Sequence, residues 1–118
     1  MFPQEKRVGN ARDITKVYRK GKKISEEGVL ISAMASDHKE SRFAVTVSKK
    51  FSGKAVARNK QRRALLAAAR EISPSIMQPH DITISYNNAQ RMLSYDESLR
   101  LLTKAFEKIQ LVEQTKEG

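Results

Sequence analysis

The chain predicts an α+β fold, a two-layer α/β sandwich in which helices pack on a sheet. Three observations lead there. Val29 to Ala35, Arg42 to Ser48 and Asp81 to Tyr86 read as strands, the last two with apolar residues alternating at a period of two. Apolar residues at helical spacing follow Asp13, Ala55 and Ser94. A length of 118 residues with 39% hydrophobic content suits one domain with a modest core. The expected order is α-β-β-α-β-α, with room for a further short strand, and no repeat or linker divides residues 1–118.

Each element has a local reason. Asn10 suits the cap of a first helix, Asp13 favours its N-terminal turn and Gly21 ends it. Ile14, Val17 and Tyr18 fall at i, i+3 and i+4 and form its apolar stripe. Between the first two strands, Asp37-His38-Lys39-Glu40 reads as a polar turn, so an antiparallel hairpin is expected. Within the second strand, Phe43, Val45 and Val47 point one way and Ala44, Thr46 and Ser48 the other.

After Ser52-Gly53 a helix runs from Ala55 to Ile72, stopped by Ser73-Pro74. Its core face gathers Ala57, Ala64, Leu65, Ala68 and Ile72, joined unexpectedly by the polar Gln61. Opposite lie Arg58, Asn59, Arg62, Arg63, Leu66 and Arg70. A third strand follows with Ile82, Ile84 and Tyr86 alternating. Ser94 and Glu97 form a capping box for the last helix, with Leu99, Leu102, Phe106 and Ile109 inward. The chain ends, residues 1–8 and 112–118, are polar enough to fray.

Charge is the functional signal. The net charge is +10, but it is not evenly spread. Residues 1–70 carry 18 basic and 6 acidic side chains, whereas residues 71–118 carry 5 and 7. Between Glu40 and Glu71 there are nine Lys or Arg residues and no acid. Positive charge mounted on folded elements is the footprint of a surface that meets phosphates. Arg58 and Arg62 stand one turn apart, as do Asn59 and Arg63, giving two rows of donors. A guanidinium can grip a phosphate with two parallel hydrogen bonds. Asn59 could meet a 2′-hydroxyl or a base edge, or cap the local backbone instead.

An ordinary solvated helix face would interleave Glu with Lys, and this one does not until Glu71. The preceding loop, Lys49-Lys50-Phe51-Ser52-Gly53-Lys54, feeds a helix N-terminus, where amide hydrogens also attract anions. Its spacing is not that of a phosphate-binding ATPase loop. His38 and His80 are the only histidines and lie far apart, and Asp13, Asp81, Asp96 and Glu97 are explained by caps and strand flanks. No active site or metal site is expected in the chain itself. Of the aromatics near the sheet, Phe43 fits core packing better than base stacking, while Tyr18 fits either.

There is no cysteine, so disulfides and thiolate metal sites are excluded and a reducing compartment is the simple reading. The longest apolar run, Ala64 to Ala69, falls far short of a membrane span. The N-terminal residues lack a signal peptide's apolar core. A cytoplasmic protein with no membrane partner is expected.

The segment Ser48-Lys49-Lys50, a glycine loop, then Ala55-Val56-Ala57-Arg58-Asn59-Lys60-Gln61-Arg62-Arg63 resembles the signature of the bacterial ribonuclease P protein component. In that family a strand ending in Ser-Lys-Lys leads into an Arg-Asn-Arg-x-Lys-Arg helix. Upstream, Asp13-Ile14-Thr15-Lys16-Val17-Tyr18-Arg19-Lys20-Gly21 is similar to the family's Asp-Phe-x-x-Val-Phe-x-x-Gly. The likeness spans residues 7–109.

The resemblance implies an accessory subunit, one per RNA, that binds a large catalytic RNA through the motif helix. It would also hold the 5′ leader of precursor tRNA in a cleft between the first helix and the sheet. Chemistry would belong to the RNA and its magnesium, with no cofactor in this chain. The family also implies a left-handed β-α-β crossover, against the usual hand. Carried over by position, Lys49, Lys50, Lys54, Arg58, Asn59, Lys60, Arg62, Arg63 and Arg70 would contact the catalytic RNA. Ile14, Tyr18, Ile31 and Phe43 would line the leader cleft.

Departures are specific. Lys60 stands where the family has Arg, Arg62 where it has Lys, and Leu66 where a further Arg is usual. Ile14 and Ile31 replace aromatics, and the loop before the motif helix is one residue longer. A ribosomal or other RNA-binding protein of similar fold is the alternative expectation.

Overall fold

The computed structural model describes residues 11–37, 39–88 and 91–112, with nothing said of the side chains of Ala11, Arg12 and Asp13. The expected Asn10 cap, His38, and the fraying of residues 1–8 and 113–118 lie outside this range. The order of elements is α1 (Ala11–Lys20), β1 (Lys22–Glu26), β2 (Val29–Ala35), β3 (Arg42–Val47), α2 (Ala55–Ile72), a 3-10 turn (Ser73–Ser75), β4 (His80–Tyr86) and α3 (Tyr95–Lys108). The further short strand is β1.

The strands form one sheet ordered β1-β2-β4-β3. The expected hairpin between Val29–Ala35 and Arg42–Ser48 is not formed. β2 pairs antiparallel with β1 on one edge and with β4 on the other, while β3 pairs parallel with β4 alone. Two local features explain this. Glu27 and Gly28 have φ of 47° and 91°, the doubly positive pair of a two-residue turn whose twist matches its strands. That turn joins β1 to β2 and takes the first edge. The 36–41 link, in turn, straddles the start of β4: Ser36 N–H donates to the Pro79 carbonyl at 3.0 Å, and the Ser41 hydroxyl accepts from His80 N–H at 3.0 Å. It therefore carries the chain past β4, which occupies the second edge.

Alternation gives the sheet two unlike faces. Val29, Ile31, Ala33, Phe43, Ile82, Ile84 and Tyr86 form the apolar face and bury against Leu65, Ala68, Ala69 and Ile72 of α2 and Leu101, Leu102, Ala105 and Phe106 of α3. On the other face α1 packs on β2 and β4. Its Val17 is fully buried there, outside the main core cluster. Gly21 ends α1 where the expectation placed it, and for a steric reason: a Cβ would lie 2.7 Å from both the Val17 and the Ala33 carbonyl oxygens.

The final helix has the predicted capping box, Ser94 Oγ accepting from Glu97 N–H and Glu97 Oε1 accepting from Ser94 N–H, each at 3.1 Å. The Ser94 N–H, with help from Arg91, holds the Glu97 carboxyl below its ordinary pKa. At the other end, Leu111 N–H bonds the Phe106 carbonyl and Gln110 N–H that of Glu107, the paired pattern of a Schellman motif. Gln110 adopts φ 62° to make it. Leu111 and Val112 then return into the core at 2% and 6% exposure, so the expected fraying does not begin at Val112. Apolar burial there outweighs the entropy of a loose end.

Candidate nucleic-acid interface

The basic surface begins where β3 leaves the sheet. Ser48 N–H donates to the Tyr86 carbonyl at 3.0 Å, extending the β3 pairing by one residue. A tight turn follows, with Phe51 N–H on the Ser48 carbonyl and Lys50 N–H on Ser48 Oγ. Phe51 is 5% exposed, its ring centroid 5.6 Å from that of Tyr86. This anchor fixes the loop while Lys49 and Lys50 stay exposed and line a groove with Ser52, Gly53, Ala57 and Met92. Composition alone did not single out Phe51, because one Phe in a basic loop reads equally as a surface aromatic.

Lys54 is the N-cap of α2 and makes no side-chain capping bond, and no acid occupies the first turn. Arg58 reaches back from the helix, Nη1 donating to the Ser52 carbonyl at 3.0 Å. A cation at the positive end of a helix works against the helix dipole, and Lys is a poor cap. A local rule broken in this way is the mark of a functional surface. Asn59, Lys60, Arg63 and Arg70 are exposed; Arg58 and Arg62 are half-buried. Among the described residues, none of these cations nor Lys49, Lys50 or Lys54 pairs with a carboxylate. The ion pairs run elsewhere: Arg42 to Asp81, Arg91 to Glu27 and Glu97, and Lys104 and Lys108 to Glu26.

Gln61, the polar residue on the apolar side of α2, is fully buried. Its Nε2 donates to the Leu93 carbonyl at 3.3 Å and its Oε1 accepts from Leu93 N–H at 2.7 Å. These two hydrogen bonds to one residue fasten α2 to the segment leading into α3. The helix is thereby held with its cationic side outward.

The second predicted site is placed differently from the expectation. Tyr18 is half-buried and its hydroxyl lies 2.6 Å from Ser85 Oγ, which is 3.2 Å from Thr46 Oγ1. Ile14 is half-buried on the same helix. Ile31 and Phe43, however, are 0% and 2% exposed within the core that α2 and α3 cover. They cannot line a cleft beside α1, because strand alternation turns them to the opposite face. That cleft face carries instead Leu30, Ser32, Ala44, Thr46, Thr83 and Ser85. Leu30 is 37% exposed, and Ser32 Oγ and Thr83 Oγ1 are buried without a hydrogen-bond partner among the described residues. At its rim, Arg42 grips Asp81 with two hydrogen bonds of 2.8 and 2.7 Å, a pair in register on neighbouring parallel strands. Sequence reading gave Asp81 only a flanking role, since the pairing depends on β3 and β4 being adjacent.

No three His, Cys, Asp or Glu side chains gather as a metal site among the described residues. No helix of the described residues is long and apolar enough to cross a membrane. The arrangement can attract and orient polyanions.

Comparisons with known proteins agree with that geometry. The family model described as Ribonuclease P matches residues 2–110. The ribonuclease P protein component of Synechocystis sp. is 29% identical over 115 residues, covering 95% of this chain and 91% of its own. That of Syntrophomonas wolfei is 31% identical over 84 residues, covering 71% and 70%. In fold, the chain is similar to the RNase P protein of Staphylococcus aureus, with a TM-score of 0.78 at 20% identity over 92% of this chain and 98% of that one. The Thermotoga maritima RNase P protein superposes with a TM-score of 0.62 at 24% identity, over 94% and 98%. A cationic helix with no acid before Glu71, set between two parallel strands, a capped third helix and a family match over nearly the whole length converge: this chain belongs to the bacterial ribonuclease P protein family.

Proposed function

We propose that this chain, an accessory protein subunit of the tRNA 5′-processing endoribonuclease, binds the catalytic RNA of ribonuclease P through the outer side of α2 and the loop before it. The contact residues are Lys49, Lys50, Lys54, Arg58, Asn59, Lys60, Arg62, Arg63 and Arg70. The observation that carries the reading is that this ridge holds no carboxylate partner among the described residues, so its charge is available to phosphates. Each neutralised phosphate releases condensed counterions, and that release lets two polyanions come together. The second polyanion is the 5′ leader of precursor tRNA, held along α1 beside Ile14 and Tyr18. Ile31 and Phe43 support that surface only from beneath the sheet. Hydrolysis is assigned to the RNA and its magnesium, with one protein per RNA, in the cytoplasm.

Reconstitution tests this directly. The protein is added to a ribonuclease P RNA at a magnesium concentration where the RNA alone is nearly inactive, and precursor tRNA cleavage is followed. Restored cleavage at the mature 5′ end is expected, with none from the protein alone. No stimulation at any protein concentration would contradict the proposal.

A further inference from the structure

A groove of about 440 Å³ separates the outer side of α2 from the first turn of α3, lined by Arg63, Leu66, Ala67, Arg70, Glu71 and Tyr95. This is within the range of small-ligand sites. Arg63, Leu66, Ala67 and Arg70 stand at i, i+3, i+4 and i+7, so they form one stripe that continues the Asn59–Arg63 row. Tyr95, the first residue of α3, is 40% exposed, and its hydroxyl has no partner among the described residues. The stripe is therefore apolar in the middle and faces an open aromatic ring, with a guanidinium at each end that pairs with no carboxylate among the described residues.

The charges decide what fits and which way round. Asp96 and Glu97 in the first turn of α3 offset the pull that a helix N-terminus otherwise exerts on a phosphate. Arg63 and Arg70 attract one to the α2 side. A ligand that is anionic along α2 and flat toward Tyr95 satisfies both.

We propose that this groove takes one unpaired nucleotide of single-stranded RNA. Its base stacks on Tyr95 and rests on Leu66 and Ala67, and its flanking phosphates are held by Arg63 and Arg70. Glu71 at the rim accepts from an exocyclic amine of the base. The assignment rests on the RNA-binding reading above and adds to it a base contact on α3, outside the cationic motif. A regular duplex keeps its bases stacked inside and offers nothing to the ring.

The chain has no tryptophan, so Tyr95→Trp installs a single indole reporter. The full-length variant is titrated with a short single-stranded oligoribonucleotide and, separately, with a duplex of the same sequence at equal phosphate concentration. Saturable quenching by the single strand and not by the duplex is expected. Tyr95→Ala should weaken single-strand binding about tenfold with the salt dependence unchanged, and Tyr95→Phe should restore it. An indole that stays unquenched at saturation, or a Tyr95→Ala protein that binds like the parent, overturns the proposal. Emission that follows protein concentration rather than RNA gives the groove to a second copy of the chain and overturns it too. The two readings fail separately. If the parent protein restores cleavage while the indole stays silent, only the groove assignment falls; if it restores none, the subunit reading falls.

Discussion

Gln61 holds both the N–H and the carbonyl of Leu93 from a fully buried position. A Gln61→Leu change keeps the volume but leaves two backbone groups without partners. A loss of about 1–3 kcal/mol is expected, read as a lower midpoint in chemical denaturation with an unchanged slope; an unshifted midpoint would show that Leu93 finds other partners. Gln110 offers the opposite change. It sits at φ 62° in the Schellman motif, where a side chain crowds the backbone, so Gln110→Gly should raise stability by about 1 kcal/mol. At this scale the sequence was partly legible. Gln61 stood out as a polar residue on an apolar stripe, but its partner lies 32 residues away, and nothing local names Leu93. Gly21 was legible in full, because a helix stop and a close backbone approach ask for the same residue.

α2 trades its own stability for charge. Lys54 is a cap without a capping bond, and the first turn has no acid. Lys54→Asp should therefore stabilise the free protein by about 1 kcal/mol through a side-chain cap and a favourable dipole interaction. The same change should weaken binding to ribonuclease P RNA. Thermal melting and filter binding on one preparation check both signs, and a variant that gains stability without losing affinity would take Lys54 out of the interface. The Arg42–Asp81 pair links β3 to β4 with side-chain exposures of 12% and 8%. Asp81→Ala removes the carboxylate that takes two hydrogen bonds from a mostly buried guanidinium, a loss of about 3 kcal/mol by denaturation. Elements were legible where periodicity is local, as in α2 and β4. β1 was nearly invisible because Lys22-Lys23-Ile24-Ser25-Glu26 holds one apolar residue. The β2–β3 hairpin was misjudged for a different reason: a strand's edge can be filled from far along the chain, and β4 fills it. Ile31 and Phe43 were assigned to the wrong side by the same gap, since alternation groups residues by face but does not say which face α1 will cover.

Across the whole molecule the charge is divided. Among the described residues the carboxylates seen to pair do so away from α2: Lys108 holds the Glu26 carboxyl below its ordinary pKa, as the Ser94 N–H does for Glu97. A depressed carboxyl pKa stabilises the fold above the unfolded-state value, and that contribution is lost as pH falls through the lowered folded-state value. The melting temperature should therefore drop below the ordinary carboxylate range, and a Glu26→Gln, Glu97→Gln double variant should show a shallower acid limb. Among the described residues no carboxylate ties down the cations of α2, which leaves them for a polyanion. The most direct measurement is the salt dependence of binding to ribonuclease P RNA, parent against an Arg62→Ala, Arg63→Ala variant. The logarithm of the binding constant should fall steeply and linearly with the logarithm of salt for the parent, and the variant's slope should be flatter by about two units, one for each lost phosphate contact. Equal slopes would mean that RNA is held by some other surface.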